Sequence, residues 1–252
     1  MKIALCLSGQ PRFIDDVAPY ILKNVCEGYD VDVFCHFWFD EKLQNEPYKF
    51  GVCGQGEWHK QRISSDAIEK VLKIYKPISY KIEPSKNFND SHVPFKESLE
   101  RYWYGALDDP DKNGFRWRTI NNCLSYFYSL NEVNKLKKEH EYANDFKYEW
   151  VVRCRTDTVI HTKIPFEDLD SEVVHYSNLQ NQPDGMINDW FDFGGSKQMD
   201  AFMSVFPVWQ LILEKCMKET GAWCHELMHR KMLDTFGIEC QGQPIHITLP
   251  RF

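Results

Sequence analysis

The sequence predicts an α/β fold with a mostly parallel central sheet, helices on both faces and a mixed C-terminal part. Three observations predict it. Short runs of strand length alternate with longer segments of helical period along most of the chain. Several runs are apolar at consecutive positions, as in strands covered on both faces. The clearest runs break off into small or charged residues, at SGQPR (8–12) and RTDT (155–158). With 252 residues, 43% hydrophobic and 15% aromatic, the chain can bury a sizeable core.

The elements follow in order. Residues 2–7, KIALCL, read as a buried first strand. Residues 14–26 read as a helix, with Pro19 near its first turn. VDVFCHFW, 31–38, is a second strand rich in β-branched and aromatic residues. Residues 40–62 lack a period and carry Gly51, Gly54 and Gly56, so a long loop is expected. Helix 64–75 follows, capped by Ser64 or Ser65, with Ile68, Leu72 and Tyr75 as its apolar stripe. ISYKI, 78–82, is a third strand, and 83–114 a long polar and aromatic loop. The longest helix spans 116–140, with Trp117, Ile120, Leu124, Phe127, Leu130 and Val133 at helical spacing. YEWVVRC, 148–154, is a central strand. Strands at 173–176 and 187–193, helices at 197–217 and 222–236 and a last strand at 244–249 complete the chain. With no repeat and no clean linker, 1–252 reads as one domain.

Composition narrows the function classes. A net charge of −7 argues against nucleic acid or an anionic membrane as the main partner, although a local basic cluster can still take a phosphate. No run approaches the ~18 apolar residues of a membrane span. The opening MKIALCLSG is too short for a secretory signal. Nine cysteines form no CxxC pair, and Cys6, Cys35 and Cys154 lie in apolar runs, so reduced thiols and a cytoplasmic setting are expected.

In such sheets ligands bind beyond the carboxyl ends of the strands, which selects SGQPR and RTDT. Arg153, Arg155 and Asp157 alternate, so on extended chain their side chains share a face. Two guanidiniums beside a carboxylate suit a phosphate-and-metal site, with Asp157 on a divalent cation and an arginine on a phosphate. The same spacing suits a structural ion pair, Arg155–Asp157, or Arg153 with another acid. In SGQPR, exposed backbone amides and Arg12 can cradle a nucleotide, although glycine and serine also serve turns. In NDWFDFGGS, 188–196, the glycine pair lets a ligand approach the backbone. There Asp189 and Asp192 can bind sugar hydroxyls, and Trp190 or Phe193 can pack on a sugar face. Alternatively the stretch is a bulge with Trp190 and Phe191 in the core. His246 is a metal or phosphate ligand, or a core histidine.

KIALCLSGQPR, WVVRCRTDT and DWFDFGGSKQMDAF, in that order, resemble a set of bacterial and large-virus glycosyltransferase-like proteins of lipopolysaccharide or surface-glycan synthesis, similar to the nucleotide-sugar-dependent transferases of the GT-A fold. The resemblance implies a Rossmann-like domain, with 1–157 binding the nucleotide and 158–252 the acceptor. Ser8, Gly9, Gln10 and Arg12 would hold the nucleotide, with Arg153 and Arg155. RTD would stand where the fold usually has Asp-x-Asp; Arg155 replaces the first Asp and leaves Asp157 to hold Mn²⁺ or Mg²⁺. Gly194 and Gly195 would be the glycine-rich segment, His246 would complete the metal shell, and Glu226 would be the base. The implied reaction moves a sugar from a UDP- or GDP-linked donor to a glycan or similar hydroxyl. Its base is Glu226, or else Asp189 or Asp192, if the configuration inverts.

Two rival readings remain. HELMH, 225–229, is the His-Glu-x-x-His pattern of zinc peptidases. Its extended form fails, because Met232 stands where glycine should be and Thr235 where the third histidine should be. A non-catalytic glycan-binding module would instead use the aromatic loops with Trp38, Trp58, Trp103, Tyr104 and Trp117.

Overall fold

A computed structural model of the chain describes residues 1–40, 44, 63–88, 120–179, 186–221 and 223–250. The loops expected at 40–62 and 83–114, with Gly51, Gly54 and Gly56, fall largely outside the described residues, as do Trp58, Trp103, Tyr104 and Trp117.

Strands β1 (Lys2–Gly9), β2 (Asp30–Trp38), β3 (Ser79–Glu83) and β4 (Trp150–Cys154) are mutually parallel. With β6 (Val174–Ser177), β7 (Phe191–Gly194) and β8 (Cys240–Gln243) they form a seven-stranded sheet of order β3-β2-β1-β4-β7-β6-β8. Only β7 runs antiparallel to its neighbours. The expected α/β fold with a mostly parallel sheet is therefore present. The sheet takes strands from both sides of residue 157.

Side-chain alternation along β1 divides the interior in two. Ala4 and Cys6 point into one core, with Cys123, Phe127, Leu130 and Val133 of α3 (Ile120–Ala143). Helices α4 (Ser196–Phe202), α5 (Trp209–Thr220) and α6 (His225–Phe236) pack on that same face. Ile3, Leu5 and Leu7 point the other way, toward α1 (Ile14–Ile21) and α2 (Ala67–Tyr75). Both faces are covered, which is why β1 reads as a continuous apolar run.

Several boundaries move for physical reasons. α1 ends at Ile21 and widens into a single π turn, Leu22–Cys26, closed by Glu27 N–H on the Leu22 carbonyl at 2.9 Å. α2 begins at Ala67 after Asp66, whose side chain makes no cap bond, so neither Ser64 nor Ser65 is its cap. The helix expected at 197–217 is two, α4 and α5, broken around Pro207, which has no amide to donate. β7 starts only at Phe191, because the Asn188 side chain takes the Trp190 amide at 2.7 Å and turns the chain first. α6 starts at His225, where Cys224 Sγ accepts the Leu227 amide. β8, CQGQ, has no apolar pattern that would announce a strand. The last strand shortens to β9 (Ile247–Thr248) and leaves the main sheet to pair with β5 (Val159–Ile160). Among the described residues, no helix is long and apolar enough to cross a membrane.

Candidate functional site

The chain winds outward from β1 through β2 to β3, then returns to set β4 against the other side of β1. The connections after β1 and β4 diverge there, which opens a crevice at their carboxyl ends. Both expected loops lie in it, and Thr156 joins them. Its hydroxyl donates to the Gln10 carbonyl at 2.9 Å and accepts the Arg12 amide at 3.1 Å. Arg155 donates Nε to Asp157 Oδ1 at 2.8 Å and Nη2 to Oδ2 at 2.9 Å. Arg12 Nη1 stands 3.8 Å from the same carboxylate, and Arg12 Nη2 also bonds Gln10 Oε1.

Three of the four positions 9–12 offer no free amide to the cradle that SGQPR suggests. Gly9 N–H is given to Ser129 Oγ at 3.1 Å, Arg12 N–H is shared by the Gln10 carbonyl at 2.9 Å and Thr156 Oγ1 at 3.1 Å, and Pro11 has none. Ser8 is buried within β1. The Arg12 side chain is the charged group that this loop offers an anion. Gly9 has φ +110°, which glycine adopts without strain.

Burial pushes the Asp157 carboxyl up, but Arg155 and then Arg12 outweigh it and hold it below the usual carboxylate range. Burial opposes the charge on Arg155, and Asp157 more than restores it. The donor set for a divalent cation is therefore poor: one carboxylate, with both oxygens taken by a guanidinium. His246 does not complete it. Its exposed ring stacks on His161 with centroids 4.6 Å apart, while its amide donates to Thr162 Oγ1. Neither the metal-ligand nor the core reading describes that placement. Among the described residues, no three His, Cys, Asp or Glu side chains are grouped to hold a metal ion. Mn²⁺ or Mg²⁺ at Asp157 and His246 does not fit these residues.

Beside this half lies a buried polar cluster. Arg153 and Asp192 are cross-strand partners on β4 and β7, and both side chains are fully buried. Arg153 Nη1 donates to Asp192 Oδ2 at 3.3 Å and to the Asp189 carbonyl. Its guanidinium lies over the Tyr126 ring, 4.8 Å from the centroid. The Tyr126 hydroxyl meets His229 Nε2 at 2.9 Å, and His229 stacks on Phe202 at 4.1 Å. Arg155 Nη1, 3.8 Å from Asp189 Oδ2, links the two halves.

All three candidate acids act on Tyr126. Burial raises its pKa, Arg153 lowers it, and Asp189, Asp192 and Glu226 raise it again. Burial also drives Asp192 well above the carboxylate range, despite Arg153. Burial pushes His229 well below the usual imidazole value, with Arg153 and His225 adding to the shift, so the ring is neutral. Arg153 Nε and Nη2, Asp192 Oδ1, Asn188 Nδ2 and His229 Nδ1 carry no hydrogen bond to a described residue. Buried polar atoms are ordinarily paired, with protein or with water, so each of these has capacity for a further hydrogen bond.

HELMH thus faces this cluster, and among the described residues no third His, Cys, Asp or Glu joins its side chains in a metal-holding group. His229 serves Tyr126, and His225 meets the Tyr126 ring edge-on at 5.1 Å, with Nδ1 3.9 Å from Glu226 Oε2. Glu226 is 2% exposed in the first turn of α6. No family model and no curated protein matches the chain.

Three further expectations change. Gly194 and Gly195 admit the chain's own backbone: a Cβ would stand 2.8 Å from the Val173 carbonyl oxygen and 2.7 Å from that of Ser171. Phe193 is fully buried in the core and offers no face to a sugar, whereas Trp190 is half-buried at the rim. Trp38 is buried and stacks on Tyr128, so it lines no open glycan surface. The sequence reading missed Tyr126, Thr156 and Asn188. Tyr126 sits among core residues of a long helix, and nothing local distinguishes it from them.

Proposed function

We propose that the protein is a glycosyltransferase of GT-A-like architecture that moves a sugar from a nucleoside-diphosphate donor to a hydroxyl acceptor, a glycan or similar molecule. One observation carries this reading: loops 8–12 and 155–157 meet at the β1/β4 crevice with Arg12 and Arg155 side by side on Asp157. Two guanidiniums at a strand-end crevice are suited to the charge that grows on a departing diphosphate. Asp157 keeps them in place.

The acid cluster around Tyr126 lies next to these arginines and supplies the proton acceptor. Burial pushes the Asp192 carboxyl up while Arg153 holds one of its oxygens, so it suits positioning better than base duty. Glu226 and Asp189 remain as the groups that take the acceptor hydroxyl's proton if the reaction inverts, or orient the acceptor if it retains. Burial of Arg153 and Glu226 keeps water from this half. The described cysteines are thiols, which is consistent with a reducing, cytoplasmic setting.

A thermal-shift screen of UDP, GDP and nucleotide sugars, each with and without Mn²⁺ or Mg²⁺, tests the proposal. Ligand at a hundred times its Kd stabilises by about 2.7 kcal/mol, a shift of several degrees. One nucleotide should give that shift, and Arg155→Ala should abolish it. A flat response to every nucleotide sinks the proposal.

A further inference from the structure

Outside the acid cluster, a second chain of polar groups runs from β3 to the end of β1. Gly9 N–H donates to Ser129 Oγ at 3.1 Å. Ser129 Oγ meets His36 Nδ1 at 2.8 Å, and His36 Nε2 meets Glu83 Oε2 at 3.0 Å. Ser129 and His36 are buried, at 1% and 0% exposure.

A serine, a histidine and an acid in hydrogen-bond sequence invite a hydrolase reading. The bonding excludes it. The serine oxygen already accepts the Gly9 amide. The ring is also reversed from the usual hydrolase arrangement, with the serine on Nδ1 and the acid on Nε2.

The directions of the bonds show what the chain can do. Glu83 is an ion: burial pushes its carboxyl up, but hydrogen bonds from Lys86, His36, Lys81 and Tyr128 outweigh that and hold it far down. A carboxylate only accepts, so His36 Nε2–H must donate to it. Burial holds the His36 pKa down, against Glu83 and Glu132 and with Lys81, so the ring is neutral and Nδ1 carries a lone pair. The Ser129 hydroxyl then donates to Nδ1 at 2.8 Å rather than to the more distant His36 carbonyl at 3.4 Å. Its lone pairs face Gly9, and every donor along the line points toward Glu83. Such a chain is polarised in one sense and strengthens each bond in it.

We infer that Ser129, His36 and Glu83 form a positioning relay that fixes the Gly9 peptide and, through it, the loop carrying Gln10 and Arg12. This rests on the proposed function only for what that loop binds. Gly9 is where the chain leaves β1 at φ +110°, three residues before Arg12. Thr156 secures the far side of the same loop through Gln10 and Arg12. The relay thus holds the near end and Thr156 the far end.

Hydrogen exchange on the full chain tests the relay without any ligand. The variants are Ser129→Ala, Glu83→Gln and, as a same-helix control, Ser125→Ala. Loss of one buried hydrogen bond should speed exchange in residues 8–13 about tenfold in Ser129→Ala. Glu83→Gln should speed it in the same segment, because its effect reaches Gly9 through the His36 and Ser129 side chains. Ser125→Ala should leave it unchanged. Unchanged exchange at 8–13 in either relay variant overturns the inference, as does a uniform rise across β1, β2 and β4. UDP or GDP titration of the same variants gives the functional readout: KM or Kd should rise with kcat little changed. If neither nucleotide binds the wild type, the transferase reading falls, while the exchange result still decides the relay.

Discussion

Arg155 closes on Asp157 through both carboxylate oxygens, at 2.8 Å and 2.9 Å, so the two residues act as one rigid unit at the mouth of the β1/β4 crevice. The pair serves two ends. It anchors the segment between β4 and β5, and it holds a guanidinium where Arg12 also reaches.

The unit should be sensitive to removal of one partner. Asp157 is 4% exposed, so Arg155→Ala leaves a buried carboxylate with Arg12 as its remaining guanidinium among the described residues. A destabilisation of about 3 kcal/mol is expected, read from the urea midpoint. The Asp157 pKa is lowered in the fold, so its contribution is present above its unfolded value and lost as pH falls below about 4. Arg155→Ala should flatten that acid limb. An unchanged midpoint would show the pair to be incidental.

His229 gives stability a second pH dependence. Its pKa is depressed in the fold, so the unfolded chain takes up a proton first as pH falls below about 6.5. Stability should therefore decline between pH 7.5 and 5.5. His36 and His175 are shifted the same way and share the effect. His229→Phe should reduce the decline without abolishing it. At pH 7.5 it should destabilise by about 1–3 kcal/mol, because the Tyr126 hydroxyl loses its partner. Equal slopes in wild type and variant would count against the buried neutral ring.

Gly194→Ala and Gly195→Ala should each destabilise the fold by about 1–3 kcal/mol, because the new methyl meets a backbone carbonyl that cannot swing aside. If the glycines served only ligand approach, these variants would keep wild-type stability and lose binding alone. Denaturation curves beside nucleotide titrations separate the two outcomes.

Lys137 is fully buried and bonds Glu141, Ser196 and Asp200, joining α3 to α4 behind the glycine pair. Lys137→Met strands Glu141 with Lys147 as its remaining cation, and should cost about 3–5 kcal/mol. The double variant Lys137→Met, Glu141→Gln should recover part of that loss. Strict additivity of the two single effects would refute coupling within the network.

Much of the architecture is legible in particular residues. KIALCL, VDVFCHFW and EWVVRC announce their strands because two-sided burial demands apolar side chains at consecutive positions. The alternative ion pairings of Arg153 and Arg155 were also legible from spacing, and both are present. CQGQ was not legible as β8, because an edge strand beside β6 needs only backbone pairing. Nor was the role of the glycine pair, since a backbone carbonyl and a ligand demand the same absence of Cβ.

The sequence by itself determined the layers and the two loops at the strand ends, because side-chain period and turn chemistry act over a few residues. Only the tertiary structure decided which polar groups meet. Tyr126 and His229 are 103 positions apart, Gly9 and Ser129 are 120 apart, and Arg12 and Thr156 are 144 apart. Those pairings follow from strand order and from which sheet face each helix covers. Local sequence carries no signal for either, so HELMH became a neighbour of Arg153 only when α6 packed beside α3.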